Sequence, residues 1–459
     1  MRRPESRPTA PPTAPGSGRR TGRSRRILFA VSITAVLALV LGVAVVVWAI
    51  RGLNDGIVRS EFDLPDAARV AAEPGEQNVL IMGLDSRVDQ NGEPLPDGVY
   101  EALHAGGADD GGYNANVLML LHIPEDRSKT VGISIPRDDY VELPGAPLGV
   151  SHAKIKEAYG LALQERMNEL LWGDAAELSD AERYQQARAA GRQAQIETVS
   201  QFLGDVRIDH FVEMTMGGFI HVAEAVAPIS VCLNQATEDS FSGADFVAGV
   251  QELDAEQAMS FVRQRRDTGV DGPALTDLDR ARRQQALLVS LTDKLRQRST
   301  LLNPKTVWSL VDTTRTHVAL DADFDVLGFL EIAHEVSQSG VTFLTLPIVD
   351  FGMIDGASVN LVDVEEIQRI VAAVLDGDHT GGHPDQPGAA GPADADAEAE
   401  PGAQPDAELD REPEAWAEAE AAPGARPGEA ADAGDPAPPA PPLDPWAEPL
   451  RAGTAPCVN

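Results

Sequence analysis

The chain has 459 residues, too many for one ordinary domain, and carries 72 acidic against 37 basic residues for a formal charge of −35. That acidity repels nucleic-acid phosphate and argues against a nucleic-acid partner. Two cysteines, Cys232 and Cys457, exclude a disulfide scaffold and a thiolate zinc site.

Residues 1–26 are rich in Pro, Ser, Thr and Arg, with eight arginines against the single Glu5, and read as a disordered cationic segment. Residues 27–50 follow without a charge. As a helix they extend about 36 Å, enough for a hydrocarbon core of about 30 Å. A cleaved signal peptide is the alternative, but its apolar stretch runs to only about 7–15 residues, so an uncleaved anchor is the better reading. Arginines before the span stay cytoplasmic, which places the polypeptide after Arg51 on the outer face of the cell membrane as a single-pass protein. Residues 51–76 form a linker and 77–376 one sizeable domain. Residues 377–459 are an acidic Pro/Ala-rich tail, expected to be disordered because it lacks apolar groups to offset its ordering entropy.

Within 77–376, Asn78–Met82, Val117–Ile123, Thr130–Ile135 and Val341–Leu346 read as short buried strands. Lys154–Leu203, Asp254–Val262, Asp277–Arg296 and Val362–Val374 read as helices, and Leu170–Ala194 within the first as an exposed polar excursion. Val88–Asn114 is Gly/Asp-rich and loop-like. Apolar strands separated by helices predict an α/β domain with a sheet covered on both faces. Cys232 reads as a buried strand thiol rather than a partner of Cys457.

The arginines carry the first chemical signal. In Phe261-Val-Arg-Gln-Arg-Arg-Asp267, Arg263 and Arg265 stand two apart, so an extended chain points both to one face. Asp277, Arg280 and Gln284 share one face of a helix. Arg137 and Asp138 follow Pro136 at the end of a buried strand, where α/β sheets hold ligands. Guanidinium forks match phosphate oxygens, and four meeting at one mouth suit a pyrophosphate. Asp85, ending the first strand in Gly83-Leu-Asp85-Ser-Arg87, reads either as a magnesium ligand or as a turn or capping Asp. There is no GxxxxGK[ST] loop, HExxH or GxSxG, so NTPase, zincin and α/β-hydrolase chemistries lack their parts.

GLDSR, a strand beginning at Asn116, SIPRDDYVELPG, KIKEAYG, ETVSQFLG, RIDHFVEM, FVRQRR and DLDRARRQQ occur in an order that resembles LytR-CpsA-Psr (LCP) proteins of the actinobacterial type, over Asn78 to Leu295. The resemblance implies a three-layer αβα domain with a central mixed sheet behind one transmembrane helix. It also implies an extracytoplasmic phosphotransferase that moves a glycopolymer from a polyprenyl-pyrophosphate carrier onto a peptidoglycan hydroxyl. By position, Asp85 and Asn116 would hold Mg2+. Arg137, Lys154, Arg263, Arg265, Arg280 and Gln284 would bind the pyrophosphate, with Asp85, Arg137, Arg263 and Arg265 catalytic and Asp138 and Asp277 supporting.

One departure stands out. Many LCP members start the second strand with an Arg-Ser-Asp-Thr-like run whose Asp is the second metal ligand; here the run is Asn114-Ala-Asn116-Val117. A neutral amide binds magnesium more weakly than a carboxylate, and Asp109 or Asp110 could substitute. Two rival functions follow: a phosphatase or pyrophosphatase acting on the carrier, and a non-catalytic envelope protein that binds polyprenyl phosphates.

Overall fold

The computed structural model describes residues 56–65, 75–103, 112–127, 130–173, 177–269, 272–296, 304–339, 341–377 and 457–459. The expected basic segment, the membrane span, part of the linker, the tail apart from its two ends, and Asp109 and Asp110 lie outside the described residues. Among the described residues no helix is long and apolar enough to cross a membrane.

In chain order, β1 (Val58–Ser60), β2 (Gln77–Leu84), α1 (Asp97–Leu103), β3 (Ala115–Ile123) and β4 (Thr130–Ser134) come first. Next are β5 (Tyr140–Glu142), β6 (His152–Lys154), α2 (Ala158–Trp172), α3 (Asp180–Phe202), β7 (His210–Thr215) and α4 (Met216–Val226). Then follow β8 (Ile229–Leu233), β9 (Thr237–Asp239), β10 (Ala244–Phe246), β11 (Gly249–Leu253), α5 (Ala255–Arg263) and α6 (Asp277–Arg296). The last are α7 (Pro304–His317), β12 (Val318–Asp321), α8 (Val326–Ser339), β13 (Val341–Thr345), β14 (Asp350–Ile354), β15 (Ala357–Leu361), α9 (Val364–Leu375) and β16 (Cys457–Val458).

The four expected strands appear as β2, β3, β4 and β13. With β1, β7 and β12 they form a mixed sheet in the order β1-β12-β7-β2-β3-β4-β13, as the α/β reading requires. β2 runs parallel to β7 and antiparallel to β3. The single expected helix from Lys154 to Leu203 is instead a strand and two helices. The break follows from Ser179, which caps a new helix: its Oγ accepts from the Glu182 N–H while the Glu182 carboxylate accepts from the Ser179 N–H. The same reciprocal cap, Asp254 with Gln257, starts α5. The loop-like region Val88–Asn114 contains α1.

The expected polar excursion at Leu170–Ala194 is helical and exposed at Leu171, Trp172 and Asp180–Glu182, but is corrected from Ala187 onward. Arg188 and Arg192 of α3 are buried, because Glu213 on β7 waits beneath them. Arg192 Nε meets Glu213 Oε2 at 2.9 Å, Arg188 Nη2 contacts Oε1, and Tyr159 Oη and Gln90 Nε2 donate to the same carboxylate at 2.9 and 2.8 Å. Burial acts to raise the Glu213 pKa, but Arg192 and then Arg188 outweigh it and bring it down to about 2. Phe211, Leu80, Met82 and Ile196 belong to the apolar core on this face of the sheet.

A smaller sheet, β11-β8-β16, holds a further correction: Cys232 is not a thiol but is bonded to Cys457. β11 covers one edge of β8, and β16 pairs in parallel along the other, setting Cys457 opposite Cys232. A separation of 225 residues hides this pairing in the sequence.

Candidate functional site

Alternation along β2 and β7 determines what the other face of the sheet does. Phe211 and Glu213 point into the core, while Val212 and Met214 are half-buried, as is Ile81 on β2. These three, with Val117 of β3, line a cavity of ≈ 370 Å³ whose opposite wall is Met259 and Val262 of α5 and Leu287 and Leu288 of α6. α6 is held to the sheet by Gln285, whose Nε2 donates to Ser134 Oγ at 2.8 Å and to Thr345 Oγ1 at 2.9 Å.

One end of this cavity is polar. The β2–β3 register shifts between Gly83 and Leu84: Gly83 faces Val117 and Leu84 faces Ala115, leaving Asn116 as the extra residue of a β-bulge. A bulge redirects a side chain out of the regular alternation, and Asn116 lines the cavity beside Asp85. Gly83 is needed there, since a Cβ on it would lie 2.9 Å from the Val117 Cβ. The Asp85 N–H donates to the Asn114 carbonyl at 2.9 Å, fixing the strand end, and Arg87 Nη1 contacts the Asp85 carboxylate.

Arg137, Arg263, Arg265, Arg280 and Gln284 line the same cavity, so residues separated by up to 147 positions (137 to 284) are brought together. α5 extends through Arg263, one residue beyond expectation, and its cap Gln264 turns the chain out (φ −58°, ψ 128°) toward Arg265. Burial lowers the Arg263 pKa; Asp85 counters, while Arg87 and Arg265 lower it further, which places these four charges within one another's field. Gln284 Nε2 donates to the Val262 carbonyl at 3.3 Å, tying α6 to the end of α5. Arg137 Nη1 donates to Asn116 Oδ1 at 2.6 Å.

Lys154 and Asp138 stand behind this arrangement rather than in the cavity lining. Asp138 lies 3.5 Å from Arg137 Nε, 3.1 Å from Lys156 Nζ and 3.8 Å from Lys154 Nζ. Burial acts to raise its pKa, yet Arg137, Lys156 and Lys154 together leave it lowered, so it is a weak base that orients cations. Asp277 opens α6, but its side chain lies outside the described residues.

Sequence reasoning missed three contributors. Arg266 and Phe241 line the cavity, with the Arg266 guanidinium 4.4 Å from the Phe241 ring centroid. Arg283 is buried below the arginine turn: its Nη1 donates to Gln264 Oε1 at 2.5 Å and its Nε to the Asn459 carbonyl at 2.6 Å. Arg283 was visible as part of DLDRARRQQ, but its partners Gln264 and Asn459 come from remote segments.

Asp85 and Asn116 supply one carboxylate and one amide oxygen, and among the described residues no group of three His, Cys, Asp or Glu could hold a metal ion. Magnesium is commonly held by one or two carboxylates with substrate phosphates and water completing its shell, so this donor set fits it together with a diphosphate rather than alone.

The family model of the LytR_cpsA_psr family matches residues 58–374. The chain is 31% identical over 356 residues to the cell wall biosynthesis protein LcpA of Corynebacterium glutamicum, covering 76% of this chain and 65% of that protein, so it spans somewhat less than two thirds of that relative. It is 24% identical over 294 residues to the polyisoprenyl-teichoic acid–peptidoglycan teichoic acid transferase TagU of Oceanobacillus iheyensis, covering 64% of this chain and 73% of that protein. A LytR-Csp2A-Psr enzyme structure from Actinomyces oris aligns with TM-score 0.45 and 16% identity over 69% of this chain and 94% of that one. With a family match spanning most of the folded residues, the chain belongs to the LytR_cpsA_psr family.

Proposed function

We propose that this protein is an extracytoplasmic, membrane-anchored phosphotransferase that moves a glycopolymer from a polyprenyl-pyrophosphate carrier onto peptidoglycan. One observation carries the reading: Arg137, Arg263, Arg265 and Arg280 line one cavity together with the apolar side chains of Ile81, Val117, Val212, Met214 and Leu287. An amphiphile with an anionic diphosphate head and an apolar chain is complementary to both halves at once. The relatives named for cell wall biosynthesis and teichoic acid transfer support the same class of substrate.

In the proposed reaction an acceptor hydroxyl attacks the phosphorus that bears the sugar. A new P–O bond forms to the acceptor, the P–O bond to the prenyl phosphate breaks, and the prenyl phosphate leaves with the electron pair. The arginines stabilise the charge that develops on this leaving group, as preorganised donors in a partly dry site do. Asp138, held ionised by three cations, and Asp85, paired with Arg87, are both poor bases, and the hydroxyl proton passes to the departing prenyl phosphate. Mg2+ held by Asp85 and the Asn116 amide with diphosphate oxygens would supply further neutralisation of the same charge.

Incubating the purified protein with a lipid-linked donor and peptidoglycan tests the proposal. Covalently joined glycopolymer and released prenyl phosphate are the expected products. Release of phosphate without joining would establish the hydrolase, and tight donor binding with no turnover the non-catalytic binder.

A further inference from the structure

Phe241 is 62% exposed, although it lines the same cavity as the arginines. Its position is closely specified. The buried carboxylate of Asp239 accepts from the Phe241 N–H at 3.0 Å through Oδ1 and from Ser242 Oγ at 2.8 Å through Oδ2, closing the turn between β9 and β10. That hairpin is laced to the arginine turn: Thr237 Oγ1 donates to Gln264 Oε1 at 3.0 Å, the Glu238 N–H to Asp267 Oδ2 at 3.1 Å, and the Thr268 N–H to the Glu238 carbonyl at 2.7 Å. Arg266 lies over the ring at 4.4 Å from its centroid. A large apolar ring held in water at the rim of a cationic cavity gains nothing for the core, which points to a ligand for it.

We infer that Phe241 is a stacking platform for the first sugar of the donor, the pyranose bonded directly to the diphosphate. This rests on the proposed donor. A diphosphate gripped by Arg263, Arg265 and Arg280 has its first sugar one bond beyond its outer phosphate, at the rim where Phe241 sits. The C–H face of a pyranose is apolar and flat enough to cover an aromatic ring, and Arg266 both orients that ring and adds a donor for sugar hydroxyls or phosphate oxygens.

The test measures binding of two probes to the full chain in detergent: a prenyl diphosphate, and the same compound carrying an N-acetylhexosamine on its outer phosphate. Wild type is expected to bind the sugar-bearing probe more tightly. Phe241→Ala should weaken that probe about tenfold while leaving the sugar-free diphosphate within about twofold, and Phe241→Trp should retain the preference. Equal loss for both probes, or no loss for either, overturns the inference while the diphosphate reading stands. Failure of the wild type to bind even the sugar-free probe overturns the diphosphate reading, and this inference with it.

Discussion

Arg137 donates to the side-chain oxygen of Asn116 at 2.6 Å, joining the end of β4 to the bulge in β3. The amide oxygen therefore orients an arginine at the position where a carboxylate would attract a metal. Asn116→Asp is expected to keep the Arg137 contact as a charge-assisted bond and to add a second anionic ligand. The Mg2+ concentration giving half-maximal transfer should fall by about tenfold, because ligand charge sets affinity for such hard cations. A Mg2+ titration identical to wild type would separate Asn116 from any metal.

Arg263→Ala and Arg265→Ala should each lower kcat/KM for transfer by about 10²–10³, the cost of losing one preorganised donor to developing charge. Arg263→Lys should recover only part, since an ammonium cannot reproduce a two-pronged contact with phosphate. Steady-state rates with a lipid-linked donor measure this, and unchanged circular dichroism shows that the fold persists.

Glu213→Ala would leave the guanidiniums of Arg188 and Arg192 buried without their shared carboxylate. Stability should drop by about 3–5 kcal/mol in urea unfolding, the range for breaking a buried pair from one side. A loss below about 1 kcal/mol would mean that water reaches these arginines and that the site is less dry than its burial indicates.

Stability should decline in two steps on acidification. His317 is pushed down to about 4 from an ordinary 6.5 by burial and then by His221. The unfolded chain takes up this proton first, so stability starts to fall below about pH 6.5 and this loss levels off below about pH 4. Glu213, lowered to about 2, adds a second loss that begins below about pH 4.5 and continues toward pH 2. Thermal melts across pH 2–8 should show both, and His317→Gln should flatten the upper one.

Reduction of the Cys232–Cys457 bond should cost about 2–5 kcal/mol, because the cross-link closes a long segment of the unfolded chain. Melts with and without a thiol reductant read this directly, and a Cys232→Ser/Cys457→Ser variant should respond to neither. Transfer activity should fall as well, since Asn459 beside Cys457 accepts from Arg283, which in turn holds Gln264 between the two arginines of the turn.

That the arginines line one cavity was legible through local spacing: Arg263 and Arg265 on an extended turn, Arg280 and Gln284 on one helix face. The strands β2, β3, β4 and β13 were legible for a similar reason, since a strand covered on both faces must be apolar at nearly every position. The later part of Leu170–Ala194, from Ala187 on, was misread because α3 is polar in composition, and nothing local announces that Glu213 will neutralise Arg188 and Arg192 once they are buried.

The amino-acid order alone thus determined which arginines stand two apart or on one helix face and which segments can be strands or helices, because propensity, alternation and side-chain spacing act over a few neighbouring residues. Tertiary structure alone decided the bulge that turns Asn116 into the cavity, the bond between Cys232 and Cys457, and the hairpin that sets Phe241 beside Arg266. Each of these depends on strand register or on pairing across long stretches of chain, and such partners are chosen by packing the whole domain at once.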